Sequence, residues 1–288
     1  MSLEVTLVQA CGRSGHGGSR TAVVEETELG VAERRAIPAA TKASHVVFVS
    51  TSGNSPSVSM RFFTAAGELP ACGHGTVAAL AVIAARAQTA RREMLLRAGG
   101  RQFTGRVAGS GNNYEAMFEP GPVALRPATA AERDLVVSAV GAAERSTVAG
   151  CQIAAVGRPR MLVEIADRQA LAELAPDMSA LRGACDRLGL LGCYVYTTPA
   201  GNGQAAARMF APSIGVPEDI ANANSTACLA ALLVDRFQRL TVDMGDSLGE
   251  PATIVATSRR SPTGPVVNVG GSATIGPAVT LGDSTSRP

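Results

Sequence analysis

The sequence predicts an α+β protein built from two related halves, each with one apolar helix among many short strands. Three observations predict it. First, RFFTAAGELPACGHGTVAALAVIAAR (61–86) ends in a helix whose run VAALAVIAA is apolar on every side, so protein must surround it. Second, the pattern recurs in RMFAPSIGVPEDIANANSTACLAALLVDR from Arg208 onward. Arg61-x-Phe63 pairs with Arg208-x-Phe210, each copy has a turn ending in proline (Pro70, Pro217), and each closes on an arginine (Arg86, Arg236). Third, most of the remaining chain alternates short β-branched runs with Gly- and Pro-rich turns, as strands do.

Taken in order, Leu3–Ala10 reads as a strand, GRSGHGG (12–18) as a turn and Thr21–Val24 as a second strand. The glycine spacing matches neither G-x-G-x-x-G nor a P-loop, so no nucleotide site is predicted there. Leu29–Thr41 reads as a helix broken at Pro38. Ser44–Ser50 is a strand with His45 at its start, Gly53–Pro56 a turn, and Val58–Phe63 a strand. The apolar helix is expected to begin near Thr76, just after Cys72-Gly73-His74-Gly75. Its free N–H groups and partial positive charge suit a bound carboxylate. Glu93–Val107 and Asn113–Phe118 read as strands around Gly-rich turns, and PGPVALRP (120–127) as a linker. This places the lobes at residues 1–122 and 123–288, with the option that the C-terminal strands return to the first.

Beyond the linker, helices are expected at Ala130–Val140, Arg168–Leu174, Met178–Leu188 and Thr226–Phe237. Strands are expected at Cys151–Val156, Arg160–Ile165, Cys193–Thr198, Arg208–Ala211, Ile254–Thr257, Pro265–Val269 and Ala273–Ile275, with a frayed tail from Gly282.

Composition excludes several classes. Among 288 residues, net charge is +2, charged residues make up 17% and aromatic residues 3%, which argues against nucleic acid or a membrane surface as partner. Cysteines at 11, 72, 151, 185, 193 and 228 show neither C-x-x-C nor zinc-ligand spacing, and His16, His45 and His74 do not have it either. The N-terminus lacks the pattern of a signal peptide, so a reduced, cytoplasmic protein is expected.

The two repeated segments, together with GGSRTAVV (17–24) and VNVGGSATI (267–275), resemble the PhzF-like isomerases, relatives of diaminopimelate epimerase and, more distantly, of proline racemase. The likeness runs from about residue 3 to 281. It implies two lobes, each a barrel-like sheet around a central helix, with the site in the cleft between them. It also implies a homodimer, a small carboxylate-bearing substrate and no metal, flavin or PLP.

Carried over by position, the resemblance assigns His74 and Asp219 to catalysis. The family's principal acid/base is a glutamate in a Ser-Glu-Thr-x-Phe-Val strand. Here the strand reads Ser44-His45-Val46-Val47-Phe48-Val49, which puts His45 in that role. An imidazole titrates near neutral pH and can both take and give a proton. Ser19, Cys72, Gly73, Gly75, Asn224, Ser225 and Thr226 are expected around the substrate carboxylate. In the epimerase relatives a cysteine at position 72 is one of two bases, yet Asn222-Ala223-Asn224-Ser225 holds no second one. Cys228 reads as core.

The expected activity is a cofactor-independent proton shift, moving a double bond on a cyclic or conjugated acid of secondary metabolism. Two alternatives stay open: an amino-acid epimerase with Cys72 as a base, and a non-catalytic binding protein on the same scaffold.

Overall fold

The computed structural model describes residues 2–51, 57–142 and 148–282. The expected turn at Gly53–Pro56 and all but the first residue of the tail lie outside the described residues. The chain divides into two units, Met1–Phe118 with Gly270–Pro288, and Glu119–Val269.

In the first unit the strands are β1 (Leu3–Ala10), β2 (Ser19–Glu25), β3 (His45–Thr51), β4 (Ser57–Phe63), β5 (Glu68–Leu69), β6 (Arg91–Ala98), β7 (Arg101–Ser110) and β8 (Asn113–Phe118). Its helices are α1 (Val31–Thr41) and α2 (Gly73–Arg86). Helix α2 packs against β1, β2, β3, β7 and β8. Every residue from Gly73 to Ala84 is buried. Burying each large side chain, such as Leu80 or Ile83, stabilises the unit by about 1.5–3 kcal/mol. This is the surrounded central helix that its composition predicts.

Helix α1 runs through Pro38 without a break. Proline removes one backbone bond and crowds the preceding turn, but tertiary contacts hold the helix. The Arg34 guanidinium, 5% exposed, bonds Glu26 Oε1 at 2.5 Å and the carbonyls of Thr27 and Leu29, and it lies 4.3 Å from the Phe48 ring centre. The strand stretch at 93–107 folds as a hairpin, turning at Gly99 and Gly100, which both take positive φ (53° and 73°), as a two-residue primed turn requires.

The second unit holds β9 (Ala124–Pro127), α3 (Ala130–Ala139), β10 (Gly150–Val156), β11 (Arg158–Ile165), α4 (Arg168–Ala172) and α5 (Met178–Leu188). It continues with β12 (Cys193–Thr197), β13 (Gln204–Ala211), β14 (Val216–Asp219), α6 (Ala223–Leu232), β15 (Arg239–Met244) and β16 (Ala252–Ser261). Its apolar helix α6 packs against β10, β11, β15 and β16. Half of the expected linker is strand β9, paired with β10. The last two expected strands are one, β17 (Gly264–Leu281), whose later part pairs with β1 from Ala273 against Ala10 to Leu281 against Leu3. Gly270 is required in β17, since a Cβ there would sit 1.8 Å from the Ala116 carbonyl oxygen.

The repeat is real at the level of side chains, and its register differs from the proline match. In the first copy Arg61, on β4, makes a bidentate pair with Glu68 on β5 (2.8 and 2.8 Å). In the second, Arg208 on β13 does the same with Glu218 on β14 (2.9 and 2.8 Å). Each guanidinium also lies near the Phe two residues on, 5.2 Å for Phe63 and 4.8 Å for Phe210. Four residues after the glutamate comes the helix cap, Cys72 in one copy and Asn222 in the other. The side chain of each cap accepts the N–H three residues on, from Gly75 and Ser225. A threonine hydroxyl four residues on, Thr76 or Thr226, donates to the cap's own carbonyl. Pro70 and Pro217 are therefore not equivalent. The three extra residues of the second copy all fall between arginine and glutamate, where Pro212–Ile214 makes a short 3-10 turn.

Candidate active site

Helix α2 starts at Gly73, three residues before the expected start, because Cys72 caps it. Extended backbone at Cys72 turns its thiol back over the first turn, where Sγ accepts the Gly75 N–H at 3.4 Å. A side chain at Gly75 would crowd its neighbours: a Cβ would lie 3.0 Å from Phe62 Cδ1 and 3.1 Å from Cys72 Sγ. His74 projects from the same turn and is 3% exposed. His45, at the first position of β3, pairs with Thr21 on β2. Ser19, at the start of β2, is buried, with its hydroxyl 2.7 Å from that of Ser44, the residue before His45.

These elements bring His45, His74 and Cys72 together. His74 Nε2 lies 2.9 Å from His45 Nδ1 and 3.3 Å from Cys72 Sγ. The two rings meet edge to face, centres 4.4 Å apart and planes at 74°. Burial, and then the neighbouring His74, hold the His45 pKa well below the usual 6.5, so its ring is neutral at pH 7. A neutral imidazole has one N–H and one lone pair. When His45 Nδ1–H donates to His74 Nε2, the lone pair of His45 resides on Nε2, and the ring is fixed as a base in one tautomer.

The second unit holds the other assigned residues. Asp219, at the end of β14, accepts Asn222 Nδ2 at 2.9 Å, while Asn222 Oδ1 accepts the Ser225 N–H at 2.9 Å. Asp219 thus orients the amide that caps α6. Ser225 and Thr226 are fully buried. Their hydroxyls are engaged within the unit, Ser225 with Met209 Sδ at 3.6 Å, and Thr226 with Tyr194 Oη at 2.8 Å and the Asn222 carbonyl at 3.1 Å. Asn224 is half-buried and holds the position equivalent to His74. Asn222 is the residue the sequence reading missed. Its signal is the spacing from Glu218, which equals that from Glu68 to Cys72. His16 takes no part: it is exposed, in a bridge to Arg13. No disulfide joins the cysteines among the described residues, and no helix among those residues is long and apolar enough to cross a membrane.

Known proteins resemble this chain over its length. A curated protein of Deinococcus radiodurans named an uncharacterized isomerase is 29% identical over 279 residues, covering 91% of this chain and 88% of its own. The uncharacterized isomerase YddE of Salmonella typhimurium is 25% identical over 252 residues, 84% of each chain. Among solved structures, a PhzF-family phenazine biosynthesis protein of Bacillus anthracis superposes with a TM-score of 0.82 at 14% identity, covering 98% of this chain and 99% of that one. A probable proline racemase of Agrobacterium radiobacter superposes with a TM-score of 0.68 at 8% identity, covering 99% and 94%, which extends the shared fold to the racemases. Residues 8–277 match the family described as phenazine biosynthesis-like protein, PhzC-PhzF, and the chain belongs to that family.

Proposed function

We propose that this protein is an isomerase that moves a proton between two carbons of a small carboxylate-bearing metabolite, with His45 as the base. The observation that carries the reading is the 2.9 Å contact between His45 Nδ1 and His74 Nε2. His45 Nε2 takes a proton from an acidified C–H, the electron pair moves into the conjugated system, and the protonated ring, whose N–H exchanges with solvent, delivers a proton to another carbon. A double bond shifts, and the enzyme ends as it began. His74 holds the base in its tautomer and receives hydrogen-bond density from Nδ1–H while the ring is charged. The start of α2 offers backbone N–H groups to the substrate carboxylate. Asp219 keeps its acid/base assignment from the resemblance. A cyclic or conjugated acid of secondary metabolism fits a site whose glutamate has become histidine. Family membership and relatives named as isomerases support the reaction class.

The test is incubation with candidate cyclic amino acids and dienoic acids in D2O, followed by NMR and mass analysis. Deuterium entering one carbon, lost in His45→Ala and kept in Cys72→Ser, is the expected result. Exchange unchanged in His45→Ala would sink the assigned base.

A second reading, epimerisation with Cys72 as a base, draws on the thiol's contact with His74. The equivalent position in the second copy holds Asn222, whose amide neither gives nor takes a proton at neutral pH. Cys72→Ser separates the two readings, since only epimerisation loses activity.

A further inference from the structure

Three ligand-type atoms converge in the first unit. His45 Nδ1, His74 Nε2 and Cys72 Sγ lie within 4.8 Å of one another, with His74 Nε2 close to both of the others. A proton suits this arrangement poorly. His74 Nε2 carries either one N–H or one lone pair, so it forms one good hydrogen bond at a time and leaves the other neighbour underused. A d10 cation accepts all three lone pairs at once. Zinc binds imidazole nitrogen at about 2.0–2.1 Å and thiolate sulfur at about 2.3 Å, and three protein ligands with one open position is a common zinc arrangement. At tetrahedral angles such bonds hold donor atoms about 3.3–3.6 Å apart, so the 2.9 and 3.3 Å contacts need open by only a few tenths of an ångström to admit the ion. Magnesium and calcium prefer oxygen donors, and this set offers none.

The surroundings suit a bound thiolate. Cys72 Sγ already accepts the Gly75 N–H at the N-terminus of a 14-residue helix, where the dipole favours negative charge. All three ligands are buried, which limits competition from water. The set is invisible in sequence spacing, because His45 stands 29 residues before His74.

We propose that His45, Cys72 and His74 form a Zn2+ site, and that bound zinc switches the isomerase off. Zinc on His45 Nδ1 leaves the ring proton on Nε2, the atom assigned to proton abstraction, so zinc and base function exclude each other. The site stands on its own geometry, while the switch rests on the function proposed above.

The full-length protein, stripped with a chelator, is titrated with Zn2+ against a chromophoric chelator, and with Co2+ for a thiolate-to-metal absorption band. One equivalent per chain is expected. Cys72→Ser, which keeps an oxygen to cap α2, should lose the cobalt band and weaken zinc by more than the roughly 10–100-fold that loss of an outer-shell partner costs. His74→Asn should weaken it likewise, and Cys151→Ser should leave it unchanged. Substoichiometric binding by the wild type, or undiminished affinity in Cys72→Ser, overturns the site. Deuterium exchange is then followed with and without one equivalent of Zn2+. Loss on zinc addition, restored by chelator, supports the switch, and unchanged or faster exchange overturns it. Zinc binding through these ligands in a protein with no exchange activity would leave the site standing and remove the isomerase reading. Exchange without zinc binding would do the reverse.

Discussion

His45 Nδ1 and His74 Nε2 lie 2.9 Å apart, joining the first residue of strand β3 to the first turn of helix α2. Neither element alone makes a site. The contact sets the two imidazoles against each other at the first turn of α2, beside Cys72. Replacing His45 by Gln keeps a polar side chain of similar size and removes the base. Turnover is expected to fall by about 10²–10⁴-fold, the usual contribution of a general base. His45→Glu, which restores the carboxylate that the resemblance places here, should recover part of the loss. Equal rates for the Gln and Glu variants would show that acid/base chemistry at this position does not limit the reaction.

The two arginine–glutamate pairs of the repeat differ in burial, and so should their energetics. Arg208 and Glu218 side chains are 12% and 9% exposed, against 45% and 43% for Arg61 and Glu68. Removing one partner of a buried pair strands a charge and costs about 3–5 kcal/mol. An exposed pair contributes at most about 1 kcal/mol. Arg208→Met should therefore lower the urea midpoint far more than Arg61→Met. Equal losses would show that the second pair is solvated.

Asn222 closes the cap of α6 and receives Asp219 as its support. Asn222→Ala should destabilise the protein by about 1 kcal/mol through the lost cap, and chemical denaturation reads this directly. Asp219→Asn probes the other end of the same contact. A purely capping role predicts a stability change with deuterium exchange intact, whereas an acid/base role predicts lost exchange at unchanged stability.

Alkaline pH should unfold the protein ahead of its charge balance. Burial raises the Cys151 and Cys185 thiols from the ordinary 9.0 to about 11, and Cys193 well above its ordinary value. In the unfolded chain these thiols ionise near pH 9, while in the folded chain they stay protonated. The unfolded state therefore loses protons first, and the stability these thiols contribute is full below pH 9 and falls as pH rises towards 11. Urea midpoints between pH 8 and 11 should drop, with a shallower fall in Cys185→Ala. A flat profile would mean that the thiols titrate alike in both states.

Much of the fold is legible in the sequence because its signals are local. The apolar run of α2 demands enclosure wherever the strands come from, and the structure wraps it. Pro38 misleads because local propensity favours a break, while Arg34 anchors the helix through contacts with β3 and the loop after β2. Pro70 and Pro217 misalign the repeat because the inserted residues precede the glutamate, and only the two salt bridges reveal the true register.

The sequence by itself determined the α+β class, the two enclosed helices and the types of residue available for chemistry, since hydrophobic period and turn chemistry act over a few residues. Tertiary structure alone decided that His45 meets His74 and, through it, Cys72. Those relationships depend on which strand start lies beside which helix cap. That is fixed by sheet pairing and core packing across tens of residues, where spacing along the chain carries no distance information.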